Sequence, residues 1–281
     1  MNPSLLDYLK SVSLYALPHH AISRIIFKLT RIESSLVTPC IKVFSKAFGV
    51  NLAEAVNPDP ASYQSFNAFF TRAINPELRP IADSEIVSPV DGTVSQAGAI
   101  REGRIFQAKG QDYTVQELLA CSDEEAALFA NGQFATIYLS PKDYHRMHMP
   151  VTGTLMEQVH VPGRLFSVAP HTVKTVSRIF ARNERVVANF DTEFGRMAMV
   201  LVGAINVAAI ETVWDGLVTP PKGKSVARKT YNDTEIVLKK GEEMGRFNMG
   251  STVVLLFESS QPALTETLVE NLPVKMGQAI S

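Results

Sequence analysis

Apolar positions in residues 4–49 recur at helical spacing in three separate stretches. Leu5, Leu9 and Val12 share one face, Ile22, Ile25, Ile26 and Leu29 form a second stripe, and Val37, Ile41, Phe44 and Phe48 a third. That period predicts three short amphipathic helices. A fourth is predicted over 62–73, with Tyr63, Phe66, Phe69 and Phe70 facing inward. From Ile86 the texture changes. Short β-type runs at 86–94, 135–139, 154–161, 186–190, 197–202, 207–214, 236–238 and 253–257 alternate with Gly, Pro, Asp and Asn, which predicts a barrel or sandwich. Helices interrupt at Val115–Leu119 and again from Glu124, where the Ser122 hydroxyl and Glu125 read as a capping box. Residues 172–184 read as another helix. The fold class is therefore α+β: a β-rich barrel or sandwich body over 76–281, behind a helical region over 1–75.

Charge changes the reading of that helical region. Residues 1–50 hold six basic residues (Lys10, Arg24, Lys28, Arg31, Lys42, Lys46) against Asp7 and Glu33, a balance of +4, which leaves −5 on the rest of a chain whose total is −1. A basic, apolar N-terminal region on an acidic body suits an anionic surface. Arg24, Lys28 and Arg31 flank the second apolar stripe, as in a helix lying flat among lipid headgroups. The same stripes also suit packing on the body or on a second subunit. Nucleic acid is disfavoured, because the basic residues alternate with aliphatic ones. The longest uncharged apolar run, 197–210, is too short to cross a bilayer. Asp7 and the Pro18-His19-His20 interruption argue against a signal peptide. With only Cys40 and Cys121 there is no disulfide framework, which fits a reducing compartment.

The chemistry concentrates at Gly250-Ser251-Thr252. Glycine has no Cβ, so the carbonyl before the serine is open to attack and the peptide tolerates strain. The apolar run after it reads as a buried strand holding the turn. His145 and His148 stand three apart, a spacing that on a helical turn puts both imidazoles on one side. Asp143 beside them raises a metal reading, but no further ligand follows at a recognised spacing, so no metal is expected. Asp91, in Pro89-Val-Asp-Gly92, is ordinary turn chemistry by itself. Beside a histidine and a serine it becomes the carboxylate that orients a base. Asp91, His148 and Ser251 also compose a serine-hydrolase triad for an external ester or peptide. Ser251, however, lacks a Gly-x-Ser-x-Gly elbow and enters a strand rather than a helix. That arrangement favours attack on its own neighbouring peptide. A non-enzymatic lipid-surface binding protein is the third reading.

Several long motifs stand in one order: Ala61-Ser-Tyr-Gln-Ser-Phe-Asn-Ala-Phe-Phe-Thr-Arg72, Ser88-Pro-Val-Asp-Gly92, Tyr138-Leu-Ser-Pro-Lys-Asp-Tyr-His-Arg-Met-His-Met-Pro150, Val161-Pro-Gly-Arg-Leu-Phe-Ser-Val168, Ile179-Phe-Ala-Arg-Asn-Glu-Arg185 and Glu243-Met-Gly-Arg-Phe247. Through them the chain resembles, nearly end to end, the bacterial phosphatidylserine decarboxylase proenzymes. One departure is Met249, where the family usually carries leucine before Gly-Ser-Thr. The two are apolar and of similar size, so tolerance is expected.

The resemblance implies self-cleavage between Gly250 and Ser251 into a large chain, 1–250, and a small chain, 251–281. His148 would be the base and Asp91 its orienting partner, and Ser251 would become a covalent pyruvoyl cofactor. The lipid amine would condense with that group as a Schiff base, lose carbon dioxide with help from His145, and leave as phosphatidylethanolamine. It further implies a homodimer of cleaved units, peripheral on an anionic membrane at its cytoplasmic face. Lys222, Lys224, Arg228 and Lys229 would meet lipid phosphates or form a solvated basic loop.

Overall fold

The computed structural model describes residues 4–108, 110–205, 209–220, 224–258 and 262–281. The N-terminal region forms α1 (Leu5–Tyr15), α2 (His19–Leu29), α3 (Val37–Phe48) and a short α4 (Phe66–Phe70). The three predicted N-terminal helices are present. Ser4 caps α1 with Asp7 in a reciprocal box, and Gly49, at φ 72°, closes α3 in the left-handed conformation that glycine adopts without strain. The predicted fourth helix is reduced to one turn and a half. Asp59 caps a separate 3₁₀ turn at Pro60–Ser62, and Ser65, in extended conformation, starts α4 by accepting from the Ala68 N–H. Leu5 and Leu9 lie outside the side chains described.

The body contains β1 (Gly92–Ala99), β2 (Arg104–Ala108), β3 (Gln111–Thr114), β4 (Gln133–Tyr138), β5 (Arg146–His148), β6 (Gly153–Val161), β7 (Arg185–Thr192) and β8 (Gly195–Val202). These are followed by β9 (Ile210–Thr212), β10 (Gly216–Thr219), β11 (Ala227–Thr230), β12 (Val237–Leu238), β13 (Glu243–Phe247), β14 (Thr252–Phe257) and β15 (Pro273–Val274). Helices α5 (Val115–Leu119), α6 (Asp123–Leu128), α7 (Pro170–Thr175) and α8 (Ile179–Arg182) interrupt them. The Ser122–Glu125 capping box on α6 is formed as expected. The helix predicted over 172–184 is divided into α7 and α8, because Val176 is extended and Arg178 sits at φ 54°. The strand predicted from Ile86 begins only at Gly92, after Pro89, which has no N–H to donate to a ladder. Residues 207 and 208 of the strand predicted over 207–214 lie outside the described residues.

Among the described residues one sheet runs β11-β6-β7-β8-β14-β4-β1-β15, with β12 also pairing β6, and a second runs β10-β9-β13-β5. The order of the large sheet has two free ends, so the expected barrel is not closed. The two sheets share one apolar core, in which Ile210, Met244 and Phe247 of the smaller pack with Val200, Val254 and Leu255 of the larger. Gln158 joins them as well, its Oε1 accepting from Thr212 Oγ1 at 3.1 Å and Trp214 Nε1 at 2.9 Å. All six residues of β14 are buried between β8 and β4, which is why 253–257 carries no polar alternation.

This topology places the reactive segment. Phe247 ends β13 in the small sheet and Thr252 begins β14 in the large one. Residues 248–251 are therefore a short crossing between two anchored strand ends.

Candidate active site

Each wall of the crossing is delivered by a different element. On the large-sheet side, the Leu139 N–H donates to the Ser251 carbonyl at 2.8 Å, extending the β4–β14 ladder by one bond. On the small-sheet side, the Phe247 N–H donates to the His145 carbonyl at 3.0 Å. That bond brings the residue before β5 alongside the crossing. A Cβ added to Gly250 would lie 3.2 Å from His145 Nε2 and 3.2 Å from the Leu139 carbonyl oxygen. Only glycine fits there without displacing the imidazole. Phe70 lies against the same imidazole, with ring centroids 4.1 Å apart.

The two histidines are not on one side of a helical turn. Residues 146–148 form strand β5, and an odd separation in a strand sends side chains to opposite faces. His145 is fully buried beside Gly250. His148 instead reaches Gly241 and Tyr144. The helical expectation failed because a three-residue strand paired to β13 carries too little local pattern to be read from sequence.

Tautomers follow from the partners. His145 Nδ1 faces the Asp143 carbonyl at 2.8 Å, so it carries the proton and leaves Nε2 as a bare lone pair toward Gly250. That Nε2 has no partner among the described residues, and neither has the fully buried Ser251 hydroxyl. An acceptor and a donor, both orphaned on the same buried peptide, are better explained by chemistry than by packing. His148 Nδ1 likewise donates to the Gly241 carbonyl at 2.8 Å, so its Nε2 accepts from the Tyr144 hydroxyl at 2.9 Å.

Electrostatics separate the pair further. Burial, then the nearby Arg72 guanidinium, push the His145 pKa down to about 3 against its bond to the Asp143 carbonyl, with no carboxylate acting the other way. Burial also lowers His148, with Arg146 in the same direction, but its bond to Gly241 and the charges of Glu243 and Asp91 oppose that fall. A proton is therefore better tolerated on His148 than on His145.

Asp91 is buried and held from two sides. Arg79 donates from Nε to Oδ1 at 2.9 Å and from Nη2 to Oδ2 at 2.5 Å, and the Met276 N–H donates to Oδ1 at 2.9 Å. Arg79 also pairs with Glu54 at 2.5 Å, and the bonds to Asp91 first, with those to Glu54, push its pKa up. Among the described residues Asp91 makes no hydrogen bond to either histidine and acts on His148 through its charge. The Asp143 carboxylate turns to Ser140, taking its N–H and hydroxyl at 2.7 Å each. Among the described residues no three His, Cys, Asp or Glu side chains gather as a metal-ion site. Sequence reasoning passed over Tyr144, Arg79, Phe70 and Asn248. Phe70 and Arg79 carried the visible signals, an aromatic run and an arginine a dozen residues before a turn aspartate.

An apolar cavity of about 120 Å³ opens at Gly250, lined by Phe44, Phe48, Phe70, Tyr138, Val168 and Met249 among others. Lys222 lies outside the described residues. Arg228 pairs with Glu157 of β6 at 2.9 Å and Lys229 with Asp215 in the turn between β9 and β10, so both β11 side chains are tied to the body.

A family model described as phosphatidylserine decarboxylase matches residues 66–281, and one described as PSD matches residues 9–49. The phosphatidylserine decarboxylase proenzyme of Alkalilimnicola ehrlichii is 55% identical over 262 residues, which cover 92% of this chain and 91% of that protein. The proenzyme of Nitrosococcus oceani is 51% identical over 280 residues, 98% of this chain and 92% of its own. That of Shewanella baltica is 53% identical over 283 residues, 98% and 97% respectively.

Proposed function

Because the chain belongs to the phosphatidylserine decarboxylase family, we propose that it decarboxylates phosphatidylserine to phosphatidylethanolamine after cutting its own backbone between Gly250 and Ser251. The observation that carries the self-cleavage is the buried Ser251 hydroxyl, without a partner among the described residues, at the sheet-to-sheet crossing beside a glycine carbonyl with no side chain to shield it. Ser251 Oγ adds to the Gly250 carbonyl carbon while its proton passes to a base. The C–N bond then breaks, the Ser251 nitrogen takes up a proton, and an ester links Gly250 to Oγ. Removal of the Ser251 Cα proton expels Gly250 as a carboxylate and leaves a dehydroalanine at 251, whose imine tautomer takes up water and releases the Ser251 nitrogen as ammonia, so that the residue ends as a ketone.

A pyruvoyl group at position 251 supplies the electron sink that ordinary side chains lack. Residues around this position fit such a group. Leu139 N–H holds the adjoining carbonyl of Ser251, and the buried His145 imidazole lies beside the neighbouring Gly250. His148 is the base of the cleavage step, with Asp91 and Glu243 favouring its cation, and His145 serves the later loss of carbon dioxide. Proximity supports a second reading, with His145 as the cleavage base, since its Nε2 faces Gly250 directly. The small fragment stays with the large one, because β14 is clasped between β4 and β8.

Intact mass of the purified protein tests the proposal. Two species, 1–250 and 251–281, are expected, the smaller without a free amine. One uncut 30.8 kDa polypeptide that still released carbon dioxide would sink it. An uncut chain labelled at Ser251 by a fluorophosphonate would favour a hydrolase.

The N-terminal helices support peripheral membrane contact. No described helix is long and apolar enough to cross a bilayer. In α2 the polar His19 and Ser23 are buried, while Ile25 and Leu29 stand 57% and 59% exposed, with Val43 at 71% on α3. Polar residues inward and aliphatic ones outward suit a lipid surface, with Lys28, Lys42 and Lys46 beside them. Each aliphatic side chain removed from water is worth about 1.5–3 kcal/mol, so Ile25→Glu with Leu29→Glu is expected to weaken flotation with phosphatidylserine vesicles by at least about tenfold. Undiminished flotation would refute the membrane role of this face.

A further inference from the structure

The crossing that is cut is gripped from outside the β-rich body. Asn248, two residues before Gly250, is fully buried and satisfied on every side. Its N–H donates to the Ala209 carbonyl at 2.9 Å and its Nδ2 to Glu211 Oε1 at 3.0 Å. Its Oδ1 accepts from Arg31 Nη2 at 2.9 Å. Arg31 follows the end of α2, with its guanidinium 3.6 Å over the Phe27 ring and 3.6 Å from Glu211. Met249, the next residue, packs into the second apolar cluster, formed by Val37 and Ile41 of α3 with Phe69 and Phe70 of α4. Gly250 then shares its cavity with Phe44, Phe48 and Phe70. The helices are themselves braced: the Asn67 N–H donates to the Thr30 carbonyl at 2.8 Å, and Arg146 Nε to the Thr71 carbonyl at 2.9 Å.

We infer that the helical region is half of the self-cleavage site: Arg31, through Asn248, and the α3–α4 aromatic cluster, through Met249, are positioning elements that present the Gly250 carbonyl to the Ser251 hydroxyl. The inference rests on the proposed self-cleavage. Attack on a carbonyl needs the reacting atoms about 3–3.5 Å apart and aligned, and an ångström of slack costs on the order of a hundredfold. Strand pairing, with the Asn248 N–H on Ala209 and the Ser251 carbonyl on Leu139, fixes both ends of the crossing but leaves Met249 and Gly250 between them to be oriented. Arg31 and the aromatic cluster orient them. The methionine at 249 agrees, because it is apolar and unbranched at Cβ like the leucine it replaces and packs against that cluster.

The rate of self-cleavage in freshly translated full-length chain, read on a denaturing gel, tests this. Arg31→Met and Asn248→Ala are each expected to slow cleavage by about ten- to a hundredfold. The double variant should be no slower than the slower single, because both act through one strut. Arg31→Lys keeps a charge toward Glu211 but cannot span Glu211 and Asn248 together, so it should fall between. Thermal melting in a Ser251→Ala background, which holds every chain uncut, should show the β-rich body still folding cooperatively. Cleavage of folded Arg31→Met at the unmodified rate, or losses that multiply in the double variant, would overturn the inference. Should Arg31→Met fail to fold, an unmodified rate in Arg31→Lys would overturn it equally. An unmodified chain that never cuts would instead refute the self-cleavage itself.

Discussion

A Ser251→Ala chain is expected to remain one uncut polypeptide and to release no carbon dioxide from phosphatidylserine above background. The substitution removes one oxygen from a fully buried position where the hydroxyl has no partner among the described residues. Nothing is left unsatisfied by its loss, and burying a methyl in place of an unbonded hydroxyl is neutral or stabilising. The thermal midpoint should therefore hold or rise slightly. The loss is chemical, because no other atom at this position can form the ester and no electron sink is then made. Enzymes of ordinary power accelerate reactions by a millionfold or more, so a fall to background means at least about six orders of magnitude. A gel and a trapped-carbon-dioxide assay on the same preparation check both halves. Residual turnover by uncut Ser251→Ala protein would place the reactive group elsewhere.

The second large effect separates the histidines. His148→Ala is expected to slow cleavage by about a hundred- to ten-thousandfold, the usual worth of a positioned base. Asp91→Asn should act in the same direction by withdrawing the charge that supports the His148 cation, while Arg79 retains Glu54. His145→Ala should still cut and should lose decarboxylation. The pH dependence follows from the same assignment. A base must be neutral to accept a proton, and burial holds His148 below its ordinary value. Cleavage should therefore stay level through neutral pH and fall only as the pH drops below that lowered pKa. His145, at about 3, stays neutral throughout and contributes no break. If His145→Ala blocks cutting while His148→Ala cuts normally, the base is His145, as proximity alone would have it.

Much of this was legible before any fold was known, and the reasons are particular. The run after Ser251 had no polar interruption because β14 is covered on both faces and flanked by two strands. The capping box at Ser122 and Glu125 was visible because it is a contact between residues three apart. Reactive residue types at 91, 145, 148, 250 and 251 could be picked out one at a time. Their mutual arrangement could not. Strand β5 is three residues long and exists because β13, nearly a hundred positions later, pairs with it. That pairing turned an expected helical pair into side chains on opposite faces, one at the cut peptide and one at Gly241.

The order of amino acids by itself determined the local matters: helical stripes in the first fifty residues, the alternation of short strands and turns beyond them, an unshielded glycine carbonyl before a serine, and a basic apolar start on an acidic body. These depend on neighbours a few positions away, so they are written in the periodicity. Only the tertiary structure decided that the sheet stays open, that Asp91 answers to Arg79, and that Arg31 grips Asn248 across the length of the chain. Each of those depends on which distant segments share a core. That is settled by packing and by pairing of buried polar groups, and no local pattern records it.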